Sequence, residues 1–456
     1  MSSLGPTAFE APAVQAAGFH QGAGQLGEAL CGQATEALQS LAFAFCRADS
    51  ASGGRLLADW SGQLGLLREG FASVVLRSAF LLHAEARGLA PRELGRLADE
   101  LIAGRTGSSG AAVGAWPRLL GIFRDAARRG AAAPGSLFGS DRHPFLEAAA
   151  GIPDAAVDGL LELLSRVDGE PVRHERLELE AFGAIFESML DFELVRARGR
   201  AIAVGPDHAC LDLDELLAAA PKERVRLVED RTGSVLPTAS AAMLGDATSV
   251  EQLVAALGRR LSPRTPAPML PGTLMLQPGP ERRRSGAHYT PRSLTEPIVR
   301  DALAPLLASC SGAQPERILE LRICDPAMGS GAFLLEACRQ LAAELERAGG
   351  VADAARLRAE VAGRCLYGVD RSPGAVEAAR LSLWLLVADP QLPFGFLDHA
   401  LKCGDGLVGL ARDQIAALHW DPGRQAGLAS RAVEKTVERA AQSRSLLARQ
   451  PEAAPP

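Results

Sequence analysis

The stretch Asp325-Pro-Ala-Met-Gly-Ser-Gly-Ala-Phe333 carries the strongest chemical signal in the chain. It lies between a short apolar run and a long helical pattern. Glycines at 329 and 331 let backbone approach a ligand where a Cβ would clash. A helix N-terminus behind them offers free N–H groups and partial positive charge. Such a loop alone also serves plain strand-to-helix turns, but here it has two companions. Tyr367-Gly-Val-Asp370 places a carboxylate at the end of the next strand. There it can accept hydrogen bonds from both ribose hydroxyls of an adenosine ligand, or cap the helix that follows. Upstream stands Arg282-Arg-Arg-Ser-Gly-Ala-His-Tyr-Thr-Pro291, which in isolation would be a solvated loop and a helix start. Asp370 lies much farther from Asp325 than the roughly 20 residues of a dinucleotide fingerprint, and the third glycine is missing. Both points argue against a nicotinamide-dependent enzyme.

These motifs need an α/β framework. Thr290-Pro291 predicts a helix to about residue 308, with Thr as N-cap and Pro at the first turn. Strands are expected over 317–324 and 365–369, and helices over 332–348, 352–361 and 373–386. The alternation implies a parallel sheet with covering helices. The region before it reads as mostly helical. Apolar residues recur at helical spacing over 60–88, and helical segments continue over 91–103, 113–128, 153–167 and 178–194. The last of these reads as a core helix. Runs at 201–204 and 224–228 suggest a small β element. Residues 1–55 read as a loosely ordered arm, 56–260 as a helical scaffold, and 261–281, with six prolines, as a linker. The sheet domain would span 282–412, and 413–456 a helical insertion or tail.

Composition narrows the function classes. Hydrophobic residues make up 47% and charged residues 22%, so a sizeable core is available and a wholly disordered chain is excluded. Lys+Arg is 48 against Asp+Glu 54, a net charge of −6, so nucleic-acid binding would need local patches or a partner. Lysine occurs only at 222, 402 and 435, and asparagine not at all. No signal peptide or membrane span is evident, and the eight cysteines form no CxxC pair, which points to a reduced, cytoplasmic protein. Scattered histidines without an HExxH pattern give no metal site.

The ordered set Arg284-Ser-Gly-Ala-His-Tyr-Thr-Pro291, Asp325–Ala337, Leu366-Tyr-Gly-Val-Asp370 and Lys402-Cys-Gly-Asp-Gly-Leu407 resembles the motifs of adenine-specific DNA methyltransferases. The nearest resemblance is to the large Eco57I-type restriction–modification enzymes. It is strong over 282–409 and patchy from about 60, through Leu76–Gly88 and Phe182–Leu190. The resemblance implies a Rossmann-like class I methyltransferase sheet that binds S-adenosylmethionine. Tyr289, Thr290 and Pro291 would lie near the methionine end. Asp325, Ala327, Gly329, Gly331 and Phe333 would form the pocket floor. Asp370 would hold the ribose, Asp405 the adenine amine, and Gly406 and Leu407 would flank the ring. Double-stranded DNA is the implied substrate.

The base side of the chemistry is missing. The family activates adenine N6 with Asn/Asp-Pro-Pro-aromatic, whose aromatic ring stacks on a flipped base. Asn is absent, and Asp-Pro at 325, 389 and 421 is never followed by a second Pro. No catalytic residue is therefore assigned. The expectation is a cofactor-binding part of a methyltransferase, a split subunit or truncated product, inactive without a second polypeptide that carries the motif and target recognition. The alternative is a non-catalytic cofactor-binding or docking module. An N-terminal nuclease of the kind family members carry is not expected, because Lys222 is the only lysine before residue 300 and Ala220 occupies the position where an acid would be needed.

Overall fold

The computed structural model describes residues 13–104, 114–132, 136–139, 141–149, 151–190, 192–205, 208–262, 265, 267–279, 290–310, 315–349, 353–409, 411–417 and 428–449. Tyr289 and Arg282–His288 lie outside them. The chain is α/β and mostly helical. No described helix is long and apolar enough to cross a membrane.

The first helix, α1 (Ala13–Ala51), differs from the loose arm expected there. Leu30, Leu38, Leu41 and Phe45 are fully buried, and Ala34, Ala37, Ala42 and Ala44 let neighbouring backbones close in. Each fully buried Leu or Phe contributes about 1.5–3 kcal/mol. An Ala/Gly-rich segment shows little amphipathic contrast, so its burial was not visible in its pattern. Against it pack α2 (Leu64–Ala86), α5 (Asp154–Ser165) and α6 (Leu179–Leu190), while α3 (Leu94–Gly104) and α4 (Ala115–Arg129) pack on α5, with Trp116 of α4 reaching Phe45. Arg77, the charge inside the apolar run of α2, is buried. Its guanidinium donates to the Leu137 and Gly139 carbonyls and lies 5.5 Å from the Phe123 ring centre. Burial pushes its pKa down to about 10.

The Pro-rich stretch also departs from expectation. Its end is strand β4 (Leu274–Pro278), paired antiparallel with β1 (Phe192–Arg196), which begins where the helix expected to reach 194 has ended. Proline density hid the strand because Pro278 stands at its end. Buried Gln39 of α1 clamps the strand edge: its side-chain amide donates to Leu274 O at 3.0 Å and accepts from Leu276 N at 2.6 Å. These bonds satisfy backbone groups that would otherwise be stranded in the core.

A satellite lobe has its own core around Ile202, Leu211, Val228 and Leu253. It holds the hairpin β2 (Ala201–Val204) and β3 (Ala209–Asp212) and several short helices. Residues 224–228, expected as strand, lie in a helix over Pro221–Thr232 that starts at Pro and ends at Gly233 with φ +64.

The C-terminal part is a three-stranded parallel sheet in the order β5 (Ile323–Asp325), β6 (Leu366–Asp370), β7 (Leu401–Cys403). The strand expected over 317–324 is shorter, because Pro315–Leu319 forms a helical turn. Helices α7 (Arg292–Cys310), α8 (Ala332–Arg347), α9 (Ala354–Cys365) and α10 (Pro373–Val387) surround the sheet, and α11 (Leu428–Arg449) follows. One continuous apolar core joins this sheet to the scaffold helices.

A buried ionic lattice fixes the junction. Arg339 of α8 binds Glu180 of α6 through both terminal guanidinium nitrogens, with Nη2 to Oε2 at 3.1 Å, and Glu336 through Nη1 at 3.2 Å. Glu336 also accepts from Arg292 Nε at 3.1 Å and Gln340 Nε2 at 2.8 Å. Glu180 and Glu336 are almost fully buried, and each has its cation.

Candidate cofactor site

Parallel pairing brings three carboxylates to one end of the sheet. Asp325 ends β5, Asp370 ends β6, and Asp405 follows β7 after Gly404, whose N–H donates to Asp370 O at 2.9 Å. This crevice outside the carboxyl ends of parallel strands is where open α/β sheets place ligands.

The glycine loop is shaped by contacts on all sides. Gly329 and Gly331 have φ of +55 and +90, the left-handed region that favours glycine. A Cβ at 331 would sit 3.1 Å from Ala379 Cβ. Met328, buried, donates its N–H to Val369 O at 3.0 Å, and its sulfur lies where a side chain at Gly368 would go. That contact explains the glycine in the Tyr-Gly-Val-Asp run. Gly331 O accepts Leu335 N at 2.8 Å and so starts α8.

The loop amides are already engaged. Gly329 N donates to Asp370 Oδ2 at 3.0 Å, and Ser372 N to Asp370 Oδ1 at 2.8 Å. Asp370 is thus a brace between the loop and the start of α10 as well as a candidate ligand. Ser330 donates through its N–H at 3.2 Å and its hydroxyl at 2.6 Å to Glu187 Oε1. Asp325 accepts from Ala327 N at 3.0 Å. Burial, and secondarily the nearby Asp370 charge, raise its carboxyl above the usual aspartate range despite that bond.

Asp405 caps its own turn, accepting from Leu407 N and Val408 N at 2.9 Å. The Val408 and Leu407 N–H groups hold its carboxyl below the usual range, helped by Arg371, 3.7 Å away. A Cβ at Gly406 would stand 2.1 Å from Pro326 O, so this turn lies directly on the glycine loop. Leu407 and Val408 project into solvent, 94% and 70% exposed.

The expected site residues are therefore gathered unevenly. Asp325, Ala327, Gly329, Gly331, Asp370, Asp405, Gly406 and Leu407 meet at the strand ends. Phe333, on the first turn of α8, is half-buried against the core. Thr290 and Pro291 lead into α7, which starts one residue later than expected: Pro291 O accepts Thr295 N, so Pro291 itself is the N-cap. The Arg292–Glu336 pair ties that first turn to α8. Glu187 and Gly183 are the contributors that sequence reasoning missed. Their i, i+4 spacing inside an apolar helix was the available signal. A cavity of about 860 Å³ lies elsewhere, lined by Arg196, Asp212, Glu215 and Arg231 beside the satellite lobe.

Comparison with curated proteins and with solved structures returns no match. The sequence model of the MmeI DNA-methyltransferase domain matches residues 313–402, which hold the glycine loop, Asp325 and Asp370; Asp405 lies just past its end, and Thr290 and Pro291 lie outside it upstream. That match supports a DNA-methyltransferase relationship of the restriction–modification kind for the parallel-sheet region of this chain.

Proposed function

We propose that the chain is the cofactor-binding component of a site-specific DNA adenine-N6 methyltransferase, acting in the cytoplasm in a restriction–modification or phage-defence system. Its S-adenosylmethionine site is the crevice at the ends of β5, β6 and β7, within an incomplete Rossmann-like class I methyltransferase domain over 282–412.

The observation that carries this reading is the occupation of the loop amides. Gly329 and Ser330 donate to Asp370 and Glu187, so a dinucleotide pyrophosphate would meet carboxylates where it needs free N–H groups. A ligand that is cationic at sulfur and carries hydroxyl and amine donors meets acceptors instead. When bound, S-adenosylmethionine supplies an electrophilic methyl group. Each Asp370 oxygen retains a lone pair for a ribose hydroxyl. Asp405 accepts from the adenine amine, and Gly406 and Leu407 flank the ring. Tyr289, Thr290 and Pro291 take the methionine end by resemblance.

Double-stranded DNA is the substrate. Residues 1–456 hold no Asn and no Asp-Pro-Pro, so the groups that activate the target amine and recognise the site are supplied from outside these residues, in this reading by a complementing polypeptide. The outer edge of β5, with Cys324 exposed, is unpaired among the described residues and suits completion of the sheet. The missing base clamp also favours the second reading, a module that holds cofactor without transferring its methyl group.

Calorimetry with S-adenosylhomocysteine tests the site. The expected result is binding, no binding of NAD, and a loss of about 1.5–3 kcal/mol in Asp370→Ala. Unchanged affinity in that variant would move the ribose site elsewhere. Tritiated methyl transfer to DNA by the chain alone is expected at background and restored by the complementing polypeptide. Failure of every such polypeptide to restore it favours the binding module. Efficient transfer by the chain alone would refute the component reading.

A further inference from the structure

We propose that Glu187 is a positioning residue for the cofactor: reaching from scaffold helix α6, it holds the Gly329–Ser330–Gly331 loop in its ligand-ready form. The ligand's identity rests on the function proposed above; the control of the loop by α6 rests on geometry alone. Glu187 Oε1 takes both donors of Ser330, the N–H at 3.2 Å and the hydroxyl at 2.6 Å, and would sit 3.2 Å from a Cβ on Gly329. One turn earlier on the same face, Gly183 leaves no space beneath the loop: its Cβ would be 2.3 Å from Ser330 Oγ. The same helix wedges Phe186 against Gly374 at the start of α10, the helix entered from Asp370.

The consequence is a division of labour within the loop. Asp370, from the sheet, holds Gly329, and Glu187, from the scaffold, holds Ser330. A backbone with a left-handed glycine on each side of a serine has little intrinsic preference for one shape. With the Ser330 donors released, the loop loses its fixed geometry while the apolar core that joins scaffold and sheet stays intact. Because Glu187 acts through Ser330, the cationic cofactor and its neutral thioether product feel its loss equally. A carboxylate touching the sulfonium would instead discriminate between them.

The test uses the full chain in four forms: wild type, Glu187→Ala, Glu187→Gln and Gly183→Ala. Amide hydrogen exchange of the peptide over 326–334 is expected to quicken about tenfold in Glu187→Ala and Gly183→Ala. It should remain near wild type in Glu187→Gln, whose amide oxygen still accepts from Ser330. Exchange in α1 over 34–45 should not change, which separates loop release from unfolding. Affinity for S-adenosylhomocysteine and for S-adenosylmethionine should fall together, at least about tenfold in Glu187→Ala and Gly183→Ala. Unchanged exchange at 326–334 in Glu187→Ala would overturn the proposal. So would a Glu187→Gln chain that loses S-adenosylmethionine but keeps S-adenosylhomocysteine. If exchange responds as stated while wild type binds neither ligand, the positioning role stands and the methyltransferase reading falls.

Discussion

Two seams join the scaffold helices to the parallel sheet, and they are made of different materials. One is aromatic. Phe80 of α2 packs with Phe138 and Phe182 on the scaffold side, and with Trp384 and Phe394 on the sheet side, at centroid distances of 5.3–6.1 Å. The other is polar: Glu187 on Ser330, and Glu180 on Arg339. Ring packing supplies much free energy with little direction, because neighbouring rings can repack. Buried ion pairs and charge-assisted bonds supply little net energy, yet they accept few geometries. The aromatic seam attaches the scaffold, and the polar seam sets its register against the glycine loop.

The largest effect that would break this contrast is in the aromatic seam. Phe80→Ala is expected to remove about 3–5 kcal/mol of stability, read from urea unfolding. Affinity for S-adenosylhomocysteine in the folded fraction should stay near wild type. A loss under about 1.5 kcal/mol would show that the rings do not carry the attachment. In the polar seam, Glu180→Ala strands part of the Arg339 charge and is expected to cost about 3 kcal/mol. The pair Glu180→Leu with Arg339→Met should recover most of that loss in the same assay. Equal damage from the single and double variants would mean that the lattice supplies net stability as well as register.

The smallest effect concerns a histidine pair on the scaffold side. His83 and His174 are buried with Nδ1 atoms 3.3 Å apart, and His83 bonds Ala79 O. Burial, then the neighbouring His174, pushes His83 down to about 3; burial pushes His174 to about 4. Both are neutral in the folded chain and take a proton near pH 6.5 once unfolded. Their contribution is complete above that value and lost as pH falls toward about 4. Between pH 7 and 6 the expected loss is about 0.7 kcal/mol per histidine. Urea midpoints at the two pH values measure it, and His83→Leu/His174→Leu should flatten the dependence. A slope unchanged in the double variant would place the acid sensitivity in other groups.

Sequence patterns served the sheet better than the scaffold. The glycine loop, Asp370 and the flanking helices were legible because chemistry and local geometry coincide there: Gly329 and Gly331 need positive φ, and Asp370 ends a strand. Asp370's second role was hidden, since a brace to Gly329 N depends on pairing between strands far apart in sequence. Glu187 was hidden for the same reason; its helix read as core, and its partner lies 143 residues on. The burial of α1 could not be inferred from a segment of alanine and glycine. Strand β4 was masked by nearby prolines whose turn-forming tendency outweighs a short apolar run. At 224–228 a pattern of alternating residues lost to a Pro start and a Gly stop.

The Gln39 clamp ties the first helix to a strand 235 residues later. At about 5–20 residues per second of synthesis, α1 leaves the ribosome on the order of 10–50 seconds before its partner exists. Throughout that interval the Gln39 amide has no backbone partner on the strand, although α2, α5 and α6, made earlier, can already cover the Leu30–Phe45 face. The N-terminal helix is therefore made first and clamped late. A nascent chain arrested before Leu274 would hold the scaffold helices with the Gln39 site unfilled, and filling it requires closure of a 235-residue loop.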